Sequence, residues 1–387
     1  MALPPQYGEF SAQTPNYARY DIEFVRGEGV RLFDGEGASY LDFLSGLGVN
    51  NLGHCHPAVV DAIREQAGKL IHTSNLYWTE PAELLARELT ARSLDDAKAF
   101  FCNSGAEANE AAIKLARAHA SGMGSPAREI VVIERAFHGR TMGALSATPQ
   151  EDKQAPFAPL VHGFVTVAPT AEAVSQAITA NTCAVMLEPV QGEGGVRVIP
   201  DDVLVAAREG CNAVGALLIF DEVQCGMSRT GSLFAYEQTP AVPDVITLAK
   251  ALAGGLPIGA MIAADYCAAS LKPGYHGSTF GGNPVSCAAA LAALPLLADD
   301  ELLANVRDTG AYLQARLAQF GEVAGAGMMV GVRLEGRDDA RELVKRLLAE
   351  QQVLANATDD STLRFLPPLI ATKHDVDEAL SALAAVL

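Results

Sequence analysis

The sequence predicts an α/β protein with a largely parallel sheet that helices cover on both faces. Short apolar runs typical of buried strands alternate with helical or irregular stretches over the first two thirds of the chain. They lie near residues 130–133, 184–187, 216–220, 245–249 and 259–263. In open sheets of this kind, ligands bind beyond the carboxyl ends of the strands, so functional residues are expected there.

The sequence changes character after Pro284, where alanine- and leucine-rich helical sequence continues through Phe320. A strand is predicted at residues 328–334, an amphipathic helix at 338–351 and a last helix from Asp375. These elements predict a smaller C-terminal α+β domain. The expected division is an N-terminal segment, 1–58, packing with the small domain; a large domain, 59–285; and the small domain, 286–387.

Composition limits the possible partners. The 387 residues are enough for about two domains, and 49% of them are hydrophobic and 19% charged, as in ordinary globular proteins. Lys plus Arg total 28 against 46 Asp plus Glu, a formal charge of −18, which argues against nucleic acid or an anionic membrane. A site for anions in such a protein must create its own positive field.

A few local features of the sequence bear on localisation and metal binding. Residues 1–10 lack a basic start followed by an apolar core, so no secretory signal is predicted. The richest apolar stretch, 287–298, is too short to span a bilayer. Seven cysteines without a paired framework fit a reducing, cytoplasmic setting. The His-Cys-His run at 54–56 is too compact to surround one ion, so a structural turn is expected and no metal.

Lys250 ends the apolar run Ile246–Ala249 and is followed by Gly254 and Gly255. An amine at the end of a buried strand loses hydration, which favours the neutral form that attacks a carbonyl carbon. The alternative is a lysine whose stem covers apolar surface while its ammonium reaches water. The context of Lys250 has to decide between the two.

Asp221 ends a second apolar run, Ala216–Phe220, that is predicted to be a buried strand. A carboxylate there needs a cationic partner. The protonated ring nitrogen of pyridoxal phosphate would supply one, and a lysine would hold the aldehyde of that cofactor. A strand ending in Asp and a strand ending in Lys fit this division of roles.

Ser104 and Glu107 have the spacing of a capping box at the start of the helical run Ala108–Ala120. Free backbone donors and the helix dipole at such a start attract a phosphate, and Gly105 would let it approach closely. Most capping boxes merely start a helix. The motif therefore needs support from other residues.

Further motifs supply that support, and they occur in a fixed order along the chain. They are Arg26–Gly29, Tyr40–Phe43, Leu52–Pro57, Ala136–Thr141, Leu187–Gly195, Gly277–Pro284 and Leu363–Pro368. With them, the chain resembles the class III, ornithine-aminotransferase-like family of pyridoxal-phosphate enzymes nearly end to end. The resemblance implies the aminotransferase fold type I, with the cofactor bound by the large domain.

The resemblance also implies roles for single residues. Lys250 would hold the cofactor and move protons, Asp221 would pair with its ring nitrogen, Gln224 would contact its phenolic oxygen and Phe137 would stack on the ring. Thr279 would be contributed across the interface of a homodimer. The cofactor-binding residues implied are Ser104, Gly105, Ala106, Phe137, Asp221, Val223, Gln224, Lys250 and Thr279, and the catalytic ones are Lys250 and Asp221.

Arginines suit the substrates that the resemblance implies, because a guanidinium binds a carboxylate bidentately and stays charged. Arg140 would take the distant carboxylate of the amino donor, and Ser278 is a further candidate contact. Arg364 would be held by Glu193 until glutamate or 2-oxoglutarate needs it. Taken without the resemblance, a surface or structural ion pair is the favoured interpretation of each arginine.

The implied reaction is ping-pong transfer of the distal amino group of N-acetylornithine to 2-oxoglutarate in arginine biosynthesis, giving N-acetylglutamate semialdehyde and glutamate. Residues 74–81 resemble the branch of the family that acts on acylated ornithine more than the branches that act on ornithine or 4-aminobutyrate. Succinylornithine, N-succinyl-diaminopimelate and ornithine are alternative donors. A non-catalytic binding relative of the same fold is the alternative of another class, and the joint presence of Lys250, Asp221, Gln224, Phe137 and Arg140 counts against it.

One segment departs from the family's pattern. Met227 and Ser228 stand where a small apolar residue and a glycine are usual. The change is expected to alter the flexibility of this loop and to leave the implied contacts intact.

Overall fold

The computed structural model describes residues 12–387, so residues 1–10, for which no secretory signal is predicted, lie outside the described residues. The strands are β1 (Phe24–Glu28), β2 (Arg31–Asp34), β3 (Ser39–Asp42), β4 (Ala97–Cys102), β5 (Glu129–Ile133), β6 (Phe164–Val167), β7 (Thr182–Leu187), β8 (Val190–Gln191), β9 (Arg197–Val198), β10 (Leu217–Asp221), β11 (Val245–Leu248), β12 (Gly259–Ala264), β13 (Gly321–Ala326), β14 (Met329–Leu334), β15 (Val353–Leu354), β16 (Asn356–Ala357) and β17 (Thr362–Phe365).

The helices lie mostly between and after these strands. They span Pro57–Ala67, Glu80–Arg92, Gly105–Gly122, Met142–Ser146, Glu151–Gln154, Ala171–Ala177, Asp201–Val214, Asp265–Ala268, Pro284–Leu297, Asp300–Leu317, Ala340–Gln351 and Lys373–Val386, with short 3-10 helices at Ala155–Phe157, Ala235–Gln238 and Lys250–Ala253. Residues 45–48 form a left-handed turn, since φ is positive from Ser45 through Gly48.

The largest sheet formed by residues 12–387 has seven strands in the order β4-β12-β11-β10-β7-β5-β6. Neighbouring strands from β11 to β6 are parallel, whereas β12 is antiparallel to both β11 and β4. The prediction of a largely parallel α/β sheet is confirmed. The apolar runs of the sequence correspond to β5, β7, β10, β11 and β12.

Side chains of β10 show how the sheet is covered. Leu217 and Ile219 pack in one core with the helix Gly105–Gly122, while Leu218 and Phe220 pack in another with the helix Asp201–Val214. Because successive side chains of a strand point to opposite faces, a strand buried on both faces is apolar throughout. Polar chemistry is therefore confined to the strand ends.

A smaller unit contains two four-stranded sheets, β13-β14-β17-β16 and β1-β2-β3-β15. In the second, β3 pairs in parallel with β15, Leu41 lying opposite Val353 and Asp42 opposite Leu354. The strand and helices predicted for the C-terminal region are present as β14, Ala340–Gln351 and Lys373–Val386. The domain boundaries at residues 58 and 285 stay predictions.

The richest apolar stretch forms most of the helix Pro284–Leu297, which contacts the helices Pro57–Ala67 and Glu80–Arg92. Its buried small side chains, such as Ala289 and Ala290, belong to the core beneath β11 and β12. Across the described part of the chain, none of the helices is both long and apolar enough to cross a bilayer.

Candidate active site

A cavity of about 430 Å³ opens where β7, β10 and β11 end, at the carboxyl edge of the large sheet. Its lining combines one amine, several carboxylates, amides and the start of a helix. The lining includes Ser104, Gly105, Ala106, Asn109, Phe137, His138, Arg140, Glu188, Glu193, Asp221, Val223, Gln224 and Lys250. Most of the residues predicted for the site are thus brought together.

Lys250 begins a 3-10 helix two residues after β11 ends, with φ of 42°, and the left-handed Gly254 ends that helix. A non-glycine residue in this conformation is strained by about 1–2 kcal/mol. Its side chain borders the cavity. Desolvation lowers the pKa of Lys250, Arg364 acts in the same direction, and the charges of Glu193, Asp221 and Glu188 oppose them. The neutral amine is favoured relative to a lysine in water.

Asp221 is buried and accepts hydrogen bonds at both carboxylate oxygens. Oδ2 accepts from Asn109 Nδ2 and from His138 Nδ1, each at 2.7 Å, and Oδ1 accepts from the Val223 amide at 3.0 Å. Burial alone would lower the pKa of His138, but the hydrogen bond and charge of Asp221, together with Glu188, outweigh it and raise the pKa. The three donors fix the orientation of the Asp221 carboxyl group at the end of β10.

Asn109 connects Asp221 to the neighbouring strand. Its Oδ1 accepts from Thr247 Oγ1 at 2.7 Å, and its Nδ2 also donates to the His138 carbonyl at 2.7 Å. Sequence reasoning missed Asn109, His138 and Thr247 as site residues. The available signals were a polar residue within an alanine-rich helix and a histidine inside the Ala136–Thr141 motif.

The helix Gly105–Gly122 begins as predicted at Ser104, whose Oγ accepts from the Glu107 amide at 3.2 Å. The reciprocal half of the predicted capping box is wrong. Glu107 Oε2 accepts instead from the backbone and side-chain nitrogens of Asn103, at 2.9 and 2.8 Å. Asn103 offers two donors to one carboxylate and so replaces the Ser104 amide.

Gly105 has a packing reason to be glycine. A Cβ at this position would lie 2.7 Å from Val223 Cγ1, so the helix start and Val223 can meet only without a side chain. Ala106 similarly meets the next loop, because a Cβ at Gly139 would lie 2.7 Å from the Ala106 Cβ. These contacts hold the first turn of the helix at the cavity wall.

Arg364 lies on β17 and is fully buried. Its Nη1 donates to Glu193 Oε1 at 2.6 Å and to Gln224 Oε1 at 3.2 Å, and its Nε donates to Asn356 Oδ1 at 2.9 Å. Burial raises the pKa of Glu193, but the charge and hydrogen bond of Arg364 outweigh it, so the pKa is lowered. Glu193 is thus an ionised cover over the guanidinium. A Cβ at Gly192 would lie 1.7 Å from Gln224 Oε1, so this approach requires glycine there.

Arg140 is exposed, and its guanidinium carbon lies 5.5 Å from the centroid of the Phe137 ring. The Phe137 amide donates to Glu188 Oε2 at 3.0 Å. An accessible guanidinium at the cavity wall can bind an incoming carboxylate, whereas Arg364 is already paired.

Ser278 and Thr279 are not brought to Lys250 within this chain. They line a second cavity of about 520 Å³ formed by residues 72–79 and 276–284 with part of β4. Ser278 Oγ accepts from Asn103 Nδ2 at 3.1 Å, so it lies one contact from the first cavity. Thr279 is exposed.

The cysteines near the cavity are packing residues, as predicted. Burial raises the thiol pKa of Cys102 to about 12 and that of Cys225 well above its usual range. In the 54–56 segment, His54 Nε2 lies 2.7 Å from Asp42 Oδ2, and His56 precedes the helix Pro57–Ala67. The histidine at 54 therefore serves the structure of the turn.

The residues around the cavity fit pyridoxal phosphate. Asp221 offers an anion for a cationic ring nitrogen, Lys250 offers an amine for a carbonyl, and the start of the helix Gly105–Gly122 offers backbone donors for a phosphate. Among the described residues, Gln224 Nε2 is also a buried donor without a protein partner. An additional acceptor in the cavity would satisfy it.

The family described as aminotransferase class-III matches residues 12–387. An acetylornithine aminotransferase of Methanocaldococcus jannaschii is 48% identical over 381 residues, covering 96% of this chain and 94% of that protein. The N-acetylornithine aminotransferase structure from Stenotrophomonas maltophilia K279a has 39% identity and a TM-score of 0.84, with 96% of each chain covered. The ornithine aminotransferase structure from Toxoplasma gondii ME49 has 32% identity and a TM-score of 0.90, covering 97% of this chain and 92% of that one.

Proposed function

Since the chain belongs to the class-III aminotransferase family, whose members use pyridoxal phosphate, we propose that it transfers the distal amino group of N-acetylornithine to 2-oxoglutarate. The products are N-acetylglutamate semialdehyde and glutamate. The observation that carries the choice of substrates is the contrast between Arg140, which lines the cavity, and Arg364, which lies behind the lining residues Glu193 and Gln224. Arg140 is free to bind a carboxylate, while Arg364 is fully buried and already paired with Glu193.

The proposed cofactor contacts follow the lining of the cavity. Asp221 would face the ring nitrogen, Val223 and Phe137 would lie against the ring, and Gln224 would donate to an oxygen on it. The first turn after Ser104, with Gly105 and Ala106, would hold the phosphate. When bound, the cofactor supplies an electron sink for the bond that breaks next to the reacting amine.

Lys250 moves the proton in this proposal. Desolvation lowers the pKa of its amine, so Nζ can act as a general base and accept the proton from the carbon that bears the reacting amine. The same group then acts as a general acid and gives the proton back in the next step. Asn109, His138 and the Val223 amide all donate to the Asp221 carboxyl group and hold it in place. A carboxylate held there would favour the protonated form of the cofactor's ring nitrogen.

The two substrates differ in their carboxylates. N-acetylornithine has one, far from its reacting amine, and its second amine is acylated and uncharged. Arg140 would bind that carboxylate while Glu193 neutralises Arg364. 2-Oxoglutarate has a second carboxylate beside its ketone, which would displace Glu193 and pair with Arg364 bidentately. One cavity can thereby serve both half-reactions.

A homodimer completes the proposed site. Thr279 and Ser278 line the second cavity beside Leu76 and Trp78, which are 86% and 91% exposed. Apolar side chains exposed together mark an interaction surface. We propose that a second copy covers this surface, so that Thr279 of each subunit reaches the phosphate of the other and Ser278 contacts the donor.

The proposed setting is arginine biosynthesis in the cytoplasm. All seven cysteines are free in the structure, which fits a reducing compartment. Six of the seven thiols have a raised pKa because they are buried, and a thiol so shielded reacts slowly with oxidants.

Half-reaction kinetics test the proposal. The purified protein with pyridoxal phosphate is mixed with N-acetylornithine, succinylornithine, ornithine or 4-aminobutyrate. The cofactor's absorbance follows each half-reaction, and its dependence on substrate concentration gives kcat/KM. N-acetylornithine should have the highest kcat/KM, and borohydride should fix the cofactor to Lys250. A clear preference for unacylated ornithine would overturn the substrate, and absence of label at Lys250 would overturn the reaction.

A further inference from the structure

Glu188 is a buried carboxyl group at the cavity to which the proposed mechanism gives no role. It directly follows β7 and is 5% exposed. Since β7 and β10 are parallel with Leu187 opposite Phe220, Glu188 occupies the position opposite Asp221. Neighbouring strands lie about 4.8 Å apart, so the two carboxyl groups leave adjacent strand ends toward one cavity.

The hydrogen bonds of Glu188 join two loops of the site. Oε2 accepts from the Phe137 amide at 3.0 Å, and Oε1 accepts from the Gly192 amide at 3.5 Å. Phe137 belongs to the loop that carries Arg140. Gly192 immediately precedes Glu193, the cover over Arg364. One side chain therefore touches both carboxylate-recognition elements.

Gly192 connects Glu188 to the surroundings of Arg364. A Cβ there would lie 1.7 Å from Gln224 Oε1, and that same oxygen accepts from Arg364 Nη1. The Gly192 backbone is thus held between Glu188 on one side and Gln224 on the other. A shift of Gly192 moves Glu193 relative to the guanidinium.

We propose that Glu188 is a positioning residue that sets how tightly Glu193 covers Arg364, and so how the enzyme divides its reactivity between glutamate and N-acetylornithine. The inference rests on the proposed function. With the cover held closed, the site suits a donor without a carboxylate near the reacting amine. When Glu193 covers Arg364 less tightly, the guanidinium is available to a carboxylate near the reacting amine, and the kcat/KM for glutamate rises.

The protonation of Glu188 gives this device a pH dependence. Burial raises the pKa of Glu188 to about 7; Asp221 acts in the same direction, and His138, Lys250 and the Phe137 amide oppose. These charged groups, on three other elements, face it, and the nearby Cys225 thiol stays neutral because burial raises its pKa. A protonated carboxyl group has one acceptor fewer. The long bond to Gly192 is the weaker one and is lost first.

The test compares Glu188→Gln with a matched control, Glu222→Gln. Glu222 is also a fully buried carboxyl group, bound by the Ala235 and Tyr236 amides at 2.6 and 2.8 Å, and burial raises its pKa to about 8. It does not line the cavity. For wild type and both variants, kcat/KM of the glutamate and N-acetylornithine half-reactions is measured separately from pH 6 to 8.

Glu188→Gln should raise the ratio of glutamate to N-acetylornithine reactivity about fivefold or more at pH 8. It should also remove the rise of this ratio that wild type shows as pH falls through about 7. Glu222→Gln should keep the wild-type ratio and its pH profile. Glu188→Asp, which keeps the charge, should retain the pH dependence.

An equal loss of both half-reactions in Glu188→Gln, or an unchanged pH profile of the ratio, would contradict the proposal. If Glu188→Gln does not fold, loss of the pH dependence in Glu188→Asp is the contradicting result. Failure of the proposed function is a separate observation. The proposed function fails if the wild-type enzyme does not react with N-acetylornithine. In that case the kcat/KM ratio is measured between glutamate and whichever other donor with a distal amino group does react.

Discussion

Two fully buried arginines, Arg229 and Arg364, have opposite kinds of surroundings. Arg229 Nη1 donates to the carbonyl oxygens of Met328 and Pro367 at 3.1 and 2.5 Å, and its Nη2 donates to Ser45 Oγ at 3.4 Å and to Asn51 Oδ1. We call these five residues the Arg229 cluster. Among the described residues, no carboxylate hydrogen-bonds Arg229, whereas Arg364 binds Glu193.

The difference separates a structural arginine from a functional one. Two backbone carbonyls and two neutral side-chain oxygens surround Arg229, and burial lowers its pKa to about 9 against the opposing charge of Asp42. Arg364 has a carboxylate partner that is itself 29% exposed and can turn away. Its Nη2 is buried without a protein partner in the described chain. Burial alone does not reveal which arginine serves the substrate, but the kind of partner does.

The comparison predicts that cavity residues carry activity and the Arg229 cluster carries stability, and Lys250→Ala tests the first half most strongly. We expect kcat to fall about 10⁴-fold, because the group that moves the proton is lost. The free energy of unfolding should change by less than about 1 kcal/mol, since no protein group loses a hydrogen bond. Steady-state kinetics and urea unfolding measure the two quantities, and a large loss of stability would erase the distinction.

The same conservative substitution at both arginines sharpens the contrast. Arg229→Lys cannot reach all acceptors of its cluster, and each one left unsatisfied costs about 1–3 kcal/mol. We expect the free energy of unfolding to fall by about 2–4 kcal/mol on this basis. The KM for 2-oxoglutarate should stay within about twofold of wild type. Chemical denaturation checks the first value, and a stable variant with a raised KM would assign Arg229 to the site instead.

Arg364→Lys should show the reverse pattern. A lysine cannot bind a carboxylate bidentately, so kcat/KM for 2-oxoglutarate should fall about 30–100-fold, on the order of 2–3 kcal/mol. The N-acetylornithine half-reaction should change much less, because Arg140 binds its carboxylate. Equal losses in the two half-reactions would remove the proposed division of labour between the arginines.

The smallest effect is expected at Ser228, next to Arg229. Met227 and Ser228 have φ of 52° and 73°, which glycine adopts without strain. Ser228 Oγ donates to the Leu297 carbonyl at 2.6 Å, and its amide donates to Leu233 O at 3.1 Å. Ser228→Gly relieves about 1 kcal/mol of strain and loses a hydrogen bond worth about the same. The free energy of unfolding, measured by urea denaturation, should therefore change by less than about 1 kcal/mol.

The central strands, and the functional residues at their ends, could be predicted from the sequence alone. Runs that are apolar on both faces mark buried strands, and β10 and β11 end within two residues of their predicted limits. Lys250 and Asp221 follow directly from those ends. The direction of β12 was not predictable, because an apolar run has the same pattern whether a strand is parallel or antiparallel.

The rest of the site depends on contacts between distant positions. Asn109 and His138 lie 112 and 83 positions from Asp221, so no local pattern connects them. Arg229 appeared only as part of a turn-rich segment, since its partners come from both ends of the chain. The role of Thr279 stays a prediction, because it requires a second subunit.

The pairing of β3 with β15 determines how long β3 lacks its partner strand while the chain is being synthesised. Asp42 leaves the ribosome 311 residues before Val353, its neighbouring strand's first residue. At roughly 5–20 residues per second, the N-terminal strands wait about 15–60 s for that partner. The large sheet is complete at Ala264 and can form during this interval. The edge of β3 stays open meanwhile, so nascent chains need protection there until translation is nearly finished.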